Sequence, residues 1–406
     1  MKQGEGNKVR KGTTNEHVIK GKSSRHKRGS ARLEKLLALF ISIVIGSIIG
    51  VWMVSYLAGE YGAMNGRVIL IIYSSLGMCL LSLYLNIIFH EGGHLIFGLL
   101  TGYSFLSFRI YSLTITREEG KLRCKRYSVP GTSGQCLMVP PAVQSDQLPF
   151  LLYNFGGVIM NFLISILAIL PMILFPQLSL QGKFLLGGFA AGGILLGLMN
   201  GLPTKLYGIA NDGYHVKSIL RNPIARNSFR LQLELIKRET LGERLRDMPE
   251  EWFQLPEGAE PSNVINAYLL YMNFNRNLDR MDFASAKDSL NLLNAVLLKL
   301  PSSYRNITEL GYLFLSILEG AATEEIEQYL TKQCKRLIKA ARNEMNIRRI
   351  AYAYYRLYTR SEKEAEDCRR SLLKLAKHYP IRAEAQRNLM LMGYIDELAG
   401  IRATIS

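Results

Sequence analysis

Cysteine is scarce in this chain, and no two cysteines lie at metal-binding spacing. Five occur among 406 residues, an odd number at unrelated positions, and no CxxC exists. They are Cys79, Cys124, Cys136, Cys334 and Cys368. The sequence therefore predicts neither a disulfide framework nor a thiolate zinc site. This usage is typical of a reducing compartment for the parts outside a membrane.

Acidic residues are also few, 33 against 50 Lys and Arg, which gives a formal net charge of +17. No recognition fold or base-stacking motif accompanies the basic excess, so we expect no nucleic-acid partner. Residues 1–35 hold eleven Lys or Arg and three Glu without apolar periodicity. They predict a disordered basic tail beside the membrane, where it could attract anionic lipid. A solvated tail with no partner of its own is the alternative. The tail is too long for a secretory leader, so the apolar run after it is expected to remain as an anchor.

Charge is nearly absent from four long apolar runs, each near the ~20 residues that cross a bilayer. They predict four transmembrane helices at about 36–58, 68–100, 151–175 and 184–202. The chain then divides into the tail 1–35, a membrane domain 36–221, a linker 222–262 and a helical domain 263–406.

Loop charge predicts the orientation of these spans. Two basic residues lie in loops 59–67 and 176–183 together, whereas loop 101–150 holds six and the tail eleven. The positive-inside bias places the tail, loop 101–150 and the C-terminal domain in the cytoplasm. Four crossings return both termini to that side, so the orientation is self-consistent.

Two segments outside the spans predict further structure. Residues 104–116 and 121–129 are rich in β-branched and aromatic residues around a turn at 117–120, which predicts a small membrane-associated β-hairpin. Residues 131–149, with three prolines and two glycines, are expected to be irregular. The predicted fold is thus an all-α membrane protein with one small hairpin.

Residues 263–406 repeat a helical pattern. Helix pairs are predicted to begin near Asn263, Tyr304 and Glu344, and Ala267-Tyr268 recurs as Ala351-Tyr352, 84 residues later. This spacing predicts a short α-solenoid that resembles tetratricopeptide arrays and could bind a protein partner. A plain helical bundle that only stabilises the chain remains the alternative.

The second predicted span contains His90-Glu91-Gly92-Gly93-His94. Two imidazoles four residues apart project from one helix face and can bind one Zn²⁺. Glu91 can take a proton from zinc-bound water, the nucleophile, and return it to a leaving amine. Ionisable residues within a hydrocarbon-spanning helix are costly to bury and indicate function.

The third ligand must come from few candidates. Of the six histidines, only His215 joins His90 and His94 in the membrane half. Asp212 and His215 both follow the fourth predicted span. A carboxylate would complete the two-histidine, one-carboxylate set that a catalytic zinc accepts, so Asp212 is favoured and His215 stays open.

With these residues the sequence resembles the site-2 protease family of intramembrane metalloproteases over about residues 68–216. The matching elements are His90, Glu91 and His94, then Gly157 and Asn161, then Asn200-Gly201-Leu202-Pro203 and Asp212-Gly213. The resemblance implies that Asp212 is the third zinc ligand and that Asn161 positions the substrate backbone or the oxyanion. Two features depart from the family: Pro203 and Asp212 are nine positions apart, and an asparagine stands at position 211.

The function predicted is that of a zinc metalloendopeptidase, which cleaves a transmembrane or membrane-associated peptide near the cytoplasmic face. The resemblance also implies a multi-pass protein of a bacterial cytoplasmic membrane. The alternative is a catalytically silent membrane adaptor whose helical domain binds a partner. A metal transporter fits poorly, because the first and third predicted spans hold no charged residue.

Overall fold

The computed structural model describes residues 66–405 apart from 119, 128–131, 145–146, 206–209 and 341–342. Contacts between residues divide the chain into Met1–Tyr73 and Ser74–Ser406. The described part of the first unit is the start of one helix. The predicted basic tail and the first predicted span, 36–58, lie outside the described residues.

Three long helices coincide with the other predicted spans: α1 (Gly66–Leu100), α2 (Phe150–Leu174) and α3 (Leu180–Gly201). By length and composition, Leu80–Leu100, Phe150–Leu174 and Gln181–Gly201 could each cross a membrane. Helices suit such apolar segments because all backbone polar groups are satisfied within the segment.

A four-stranded antiparallel sheet follows α1, where one hairpin was predicted. Its strands are β1 (Ser104–Ile110), β2 (Leu113–Glu118), β3 (Lys121–Arg126) and β4 (Gly134–Val139), in the order β3-β2-β1-β4. The predicted turn joins β2 to β3, with Gly120 at a φ of 77°. A second turn, with Tyr111 at a φ of 51°, divides the first predicted strand into β1 and β2.

The expectation that residues 131–149 are irregular is wrong for β4. Strand β4 pairs with β1, with Cys136 opposite Phe108 and Gly134 opposite Ile110. The prolines of this segment lie after the strand, where no ladder hydrogen bond is lost. The long-range pairing with β1, invisible in the local composition, makes the segment a strand.

One face of the sheet is polar and buried. Cross-strand partners share a face, and Ser107 pairs with Thr116 while Arg109 pairs with Thr114. These four side chains are at most 8% exposed. At the end of the same face, Glu118 accepts a hydrogen bond from Arg382 at 3.0 Å. The polar face therefore packs against the C-terminal helices.

The C-terminal part is built of helices, and the short helix α4 (Asp212–Ile219) connects it to the segment that follows α3. The remaining helices are α5 (Pro223–Leu241), α6 (Val264–Asp279), α7 (Phe283–Val296), α8 (Ser302–Glu319), α9 (Thr323–Tyr329), α10 (Lys332–Ala340), α11 (Met345–Ala353), α12 (Glu362–Ala376) and α13 (Arg382–Ile405). The segment predicted as a linker thus contains helix α5. Asn222 caps this helix by accepting from Ala225 N at 2.9 Å.

Helix starts in this part lie close to those predicted. Asn263 is the N-cap of α6, Glu344 is the N-cap of α11, and α8 begins at Ser302. The repeated alanines, Ala267 and Ala351, are both fully buried. Whether these helices form a solenoid remains a prediction. One hydrophobic cluster extends from Met138 in β4 and Tyr153 in α2 to Ile395 in α13. The sheet and the long apolar helix α2 therefore share a core with the C-terminal helices.

Candidate metal centre

Helix α1 carries a stripe of polar residues at four-residue spacing: Ser82, Asn86, His90 and His94. Residues four apart share one helix face. All four are buried, at 8% exposure or less, in an otherwise apolar helix. The stripe faces α2 and α3, and its last two members are the predicted metal ligands.

Three potential ligand atoms converge at the end of this stripe. His90 Nε2 lies 3.1 Å from Asp212 Oδ2, His94 Nε2 lies 3.4 Å from the same oxygen, and the two nitrogens are 3.3 Å apart. A tetrahedral metal with ligands at about 2.0–2.1 Å requires ligand atoms about 3.3–3.4 Å apart. This nearly equilateral triangle therefore has the dimensions of one face of such a tetrahedron.

The other nitrogen of each ring fixes how these imidazoles are protonated. His94 Nδ1 lies 2.8 Å from the carbonyl oxygen of Tyr153, which can only accept, so Nδ1 carries the proton. His90 Nδ1 lies 2.7 Å from Asn161 Oδ1 and donates to it. In a neutral imidazole protonated at Nδ1, the Nε2 atom carries a lone pair, and both Nε2 atoms are directed at Asp212 Oδ2. This oxygen is buried without a hydrogen-bond partner. The three atoms are thus oriented as the ligands of one cation require.

Gly157 of α2 leaves the room that the two rings occupy. A Cβ at this position would lie 2.6 Å from both His90 Cε1 and His94 Nε2. Real Cβ atoms do not approach heavy atoms so closely, so a larger residue would displace the rings. The space needed by the two imidazole rings therefore explains the glycine at position 157.

Asn211 holds Asp212 in place by linking two helix ends. Its Nδ2 donates to the carbonyl oxygens of Met199 and Leu202 at the end of α3, both at 2.6 Å. Its Oδ1 accepts from Tyr214 N at 3.0 Å and thereby caps α4. The asparagine that departs from the family pattern is thus a double cap. These bonds hold the chain just before Asp212 against the end of α3, although Asp212 is nine positions beyond Pro203.

His215 is not brought to the two imidazoles. Among the described residues, the donor atoms of His, Cys, Asp and Glu that could share one metal ion are those of His90, His94 and Asp212, all within 4.8 Å of one another. Burial lowers the pKa of His215, partly offset by the charge of Asp212, so its ring is neutral near pH 7. The geometry favours Asp212 as the third ligand.

Asn161 lies behind the ligands and is fully buried. Its Oδ1 accepts from His90, and its Nδ2 donates to the backbone oxygen of Asn86 at 3.0 Å. Both ends of the amide are used within the protein. These contacts favour a role for Asn161 in orienting His90. The predicted contact of Asn161 with a substrate or an oxyanion is less favoured.

Glu91 belongs to helix α1, and its side chain lies against the sheet. The residue is 8% exposed. The backbone of Gly134, at the start of β4, contacts its carboxylate so closely that a Cβ there has no room. Arg109 of β1, held by Thr132 Oγ1 and the Gly134 carbonyl at 2.6 and 3.2 Å, is close enough for its charge to act on Glu91. The carboxylate is therefore placed by the sheet as well as by its helix.

Several of these contacts were not anticipated from the sequence, among them those of Asn86, Tyr153 and Gly134. The four-residue stripe from Ser82 to His94 carried a detectable signal for Asn86, because polar residues are rare in an apolar helix. Gly134 and Tyr153 carried none, because their contacts depend on strand pairing and helix packing.

Comparison with known proteins gives no match to a family model, to a curated protein or to a solved structure. The site is therefore interpreted from its own geometry and chemistry.

Proposed function

We propose that this protein is an intramembrane zinc metalloendopeptidase that cleaves a transmembrane or membrane-associated peptide near the cytoplasmic face. The observation that carries the proposal is the convergence of three potential ligand atoms from His90, His94 and Asp212 at the spacing of tetrahedral ligands. Two of these residues lie within a helix long and apolar enough to cross a membrane. The resemblance to site-2 proteases supports the same reaction.

The donor set fits zinc. Two imidazoles and one carboxylate are a common protein contribution to a catalytic zinc, with the fourth position left for water or substrate. When bound, zinc would make water acidic near neutral pH and polarise the scissile carbonyl. The hydrogen bonds from His90 to Asn161 and from His94 to the Tyr153 carbonyl would fix both rings for this role.

Glu91 would supply the proton transfers. Its carboxylate, adjacent in sequence to His90, takes a proton from the attacking water and returns it to the departing amine. The Gly134 backbone packs against the carboxylate, and the charge of Arg109 acts on it from the sheet. Burial of Glu91 limits bulk water, which strengthens charge interactions during the reaction.

Strand β4 would present the substrate. It is the edge strand beside Glu91, and an extended peptide could pair with its outer edge. Part of that edge is covered, because Tyr153 Oη donates to the Cys136 carbonyl at 2.9 Å. A transmembrane helix unwound at the cleavage site could supply such an extended peptide.

The remaining partners follow from the sequence. The basic tail would contact anionic lipid, and both termini would lie in the cytoplasm. A groove of about 520 Å³ between α7, α8 and α9, lined by Asn291, Arg305, Tyr312 and Tyr329 among others, offers one surface for a protein partner of the helical domain.

Wild type and Glu91→Gln, expressed at equal levels in the same membranes, test the function. Glutamine preserves the size of residue 91 but cannot take up the proton. We expect small membrane-derived peptides to accumulate with wild type alone. Identical peptide profiles would refute proteolysis and favour the adaptor alternative.

A further inference from the structure

Asn86 lies one helical turn before His90 and is fully buried. Its side-chain Nδ2 donates to the carbonyl oxygen of Ser82 and to that of Phe189 on α3, each at 3.0 Å. Its backbone oxygen accepts from Asn161 Nδ2 at 3.0 Å. One residue of α1 thus contacts both neighbouring candidate spans.

These contacts form a continuous path to a metal ligand. The Phe189 carbonyl oxygen of α3 accepts from Asn86 Nδ2, the Asn86 backbone oxygen accepts from Asn161 Nδ2 of α2, and Asn161 Oδ1 accepts from His90 Nδ1. Ser165 donates to the Asn161 carbonyl oxygen at 2.7 Å and secures the α2 part of the path. The Asn86 side chain also faces Asn161 directly, with its Oδ1 3.5 Å from Asn161 Nδ2.

The glycines of α3 allow this path to exist. A Cβ on Gly193 would lie 2.7 Å from Asn86 Oδ1 and 3.0 Å from the Asn161 carbonyl oxygen. A Cβ on Gly192 would lie 3.3 Å from Asn86 Nδ2. Gly188, by contrast, has open space where its Cβ would be. The absence of a Cβ at positions 192 and 193 therefore leaves the space that the Asn86 side chain and the Asn161 carbonyl oxygen occupy.

We propose that Asn86 is a positioning residue for the metal centre, acting on His90 through Asn161. The inference rests on the proposed metal site and adds a residue to it. Buried amides within a membrane-spanning segment are costly unless fully paired. Partners that orient a metal-ligating histidine typically change metal affinity 10–100-fold when removed.

The test is the Zn²⁺ dissociation constant of the purified full-length chain, measured by competition with a chromophoric chelator. We expect Asn161→Ala to weaken binding 10–100-fold. Asn86→Ala keeps the backbone oxygen that accepts from Asn161 but loses the side-chain contacts with Asn161 and Phe189, and we expect it to weaken binding about 10-fold. If Asn86 acts through Asn161, the double variant binds no more weakly than Asn161→Ala alone. Multiplying effects in the double variant, or unchanged affinity in Asn86→Ala, would overturn the proposal.

Two matched controls separate positioning from general packing. Asn154→Ala removes a buried amide of α2 that donates only within its own helix, to the Phe150 carbonyl oxygen at 2.7 Å, and should retain wild-type affinity. Gly193→Ala should weaken Zn²⁺ binding, whereas Gly188→Ala on the same helix should not. The glycine pair keeps the test decisive should Asn86→Ala fail to fold, since equal affinity of the two glycine variants would also overturn the proposal.

The readout distinguishes this inference from the proposed function. If the Zn²⁺ affinities follow the expected order while wild type and Glu91→Gln give identical peptide profiles, the positioning role stands and proteolysis fails. If the wild-type chain binds no Zn²⁺, both the positioning role of Asn86 and the proposed metalloprotease function are refuted.

Discussion

Gly134 of strand β4 lies directly against the carboxylate of Glu91, with no space for a Cβ between them. The two residues are 43 positions apart in the chain, and only the pairing of β4 with β1 brings them together. The sheet therefore sets the position of the group that we assign to proton transfer. This contact gives a direct way to displace Glu91 without touching the metal ligands.

We expect Gly134→Ala to lower the rate of peptide cleavage by about 100-fold, the effect of a displacement near 1 Å in an active site. Zn²⁺ affinity should stay near that of wild type, because the three heavy atoms nearest to a Cβ at residue 134 all belong to Glu91. Turnover and metal affinity measured on the same preparations check the prediction. Normal turnover in Gly134→Ala would mean that the carboxylate does not need this placement.

The third ligand can be decided by metal content. Asp212→Ala removes the oxygen that lies 3.1 and 3.4 Å from the two imidazole nitrogens, and it should leave the purified chain without tightly bound zinc. His215→Ala should keep one zinc per chain. Elemental analysis of both variants gives the answer, and full zinc in Asp212→Ala would refute the assignment.

The ion pairs of Glu118, with Lys125 in the sheet and with Arg382 in α13, predict a loss of stability in acid. Burial would raise the pKa of Glu118, but hydrogen bonds from Lys125, Arg382 and Thr116 outweigh it and lower this pKa from 4.5 to about 2. The stabilisation is complete above pH 4.5 and is lost as the pH falls towards 2.

Glu118→Gln should therefore destabilise the chain by about 1–3 kcal/mol at pH 7 and by much less near pH 3. Thermal midpoints of wild type and variant in the same micelles, compared at both pH values, provide the measurement. A difference that does not change with pH would show that the charge of Glu118 is unimportant.

Glu344 predicts the opposite dependence. Burial, together with the charge of Glu384 and against that of Arg109, raises the pKa of its carboxyl from 4.5 to about 8. Its Oε1 is buried without a hydrogen-bond partner. Because the folded chain favours the protonated form, this residue costs stability increasingly as the pH rises from 4.5 to 8.

Glu344→Gln should raise stability by about 1–3 kcal/mol at pH 8 and have little effect at pH 4.5. Glu366→Gln, which changes an exposed carboxylate on α12, is the matched control and should alter neither value. Thermal midpoints across this pH range provide the test. Destabilisation by Glu344→Gln at pH 8 would show that the ionised carboxylate of Glu344 has a stabilising partner in the folded chain.

The long helices and the ligand candidates were accessible from sequence because each depends on local composition. Apolar runs define α1, α2 and α3, and the four-residue spacing of His90 and His94 places both on one face. The helix starts at Val264 and Met345 were likewise indicated by periodicity.

Strand β4 was missed, and the contacts of Asn161 were not foreseen, for a different reason. The local composition around Gly134 indicates turns, and only pairing with β1 makes this segment a strand. Asn161 was expected to face the substrate, whereas both ends of its amide are used by His90 and Asn86. Such outcomes depend on long-range packing, which local patterns do not record.

The most direct measurement is zinc-dependent cleavage by the purified chain. Wild type and Glu91→Gln are reconstituted in vesicles with a set of membrane-anchored peptides, stripped of metal with a chelator and then resupplied with Zn²⁺. Cleavage should stop on stripping and return with Zn²⁺ for wild type, while Glu91→Gln binds the metal and cleaves nothing. Equal cleavage by the two proteins, or cleavage by wild type that survives complete removal of the metal, would contradict an intramembrane metalloprotease.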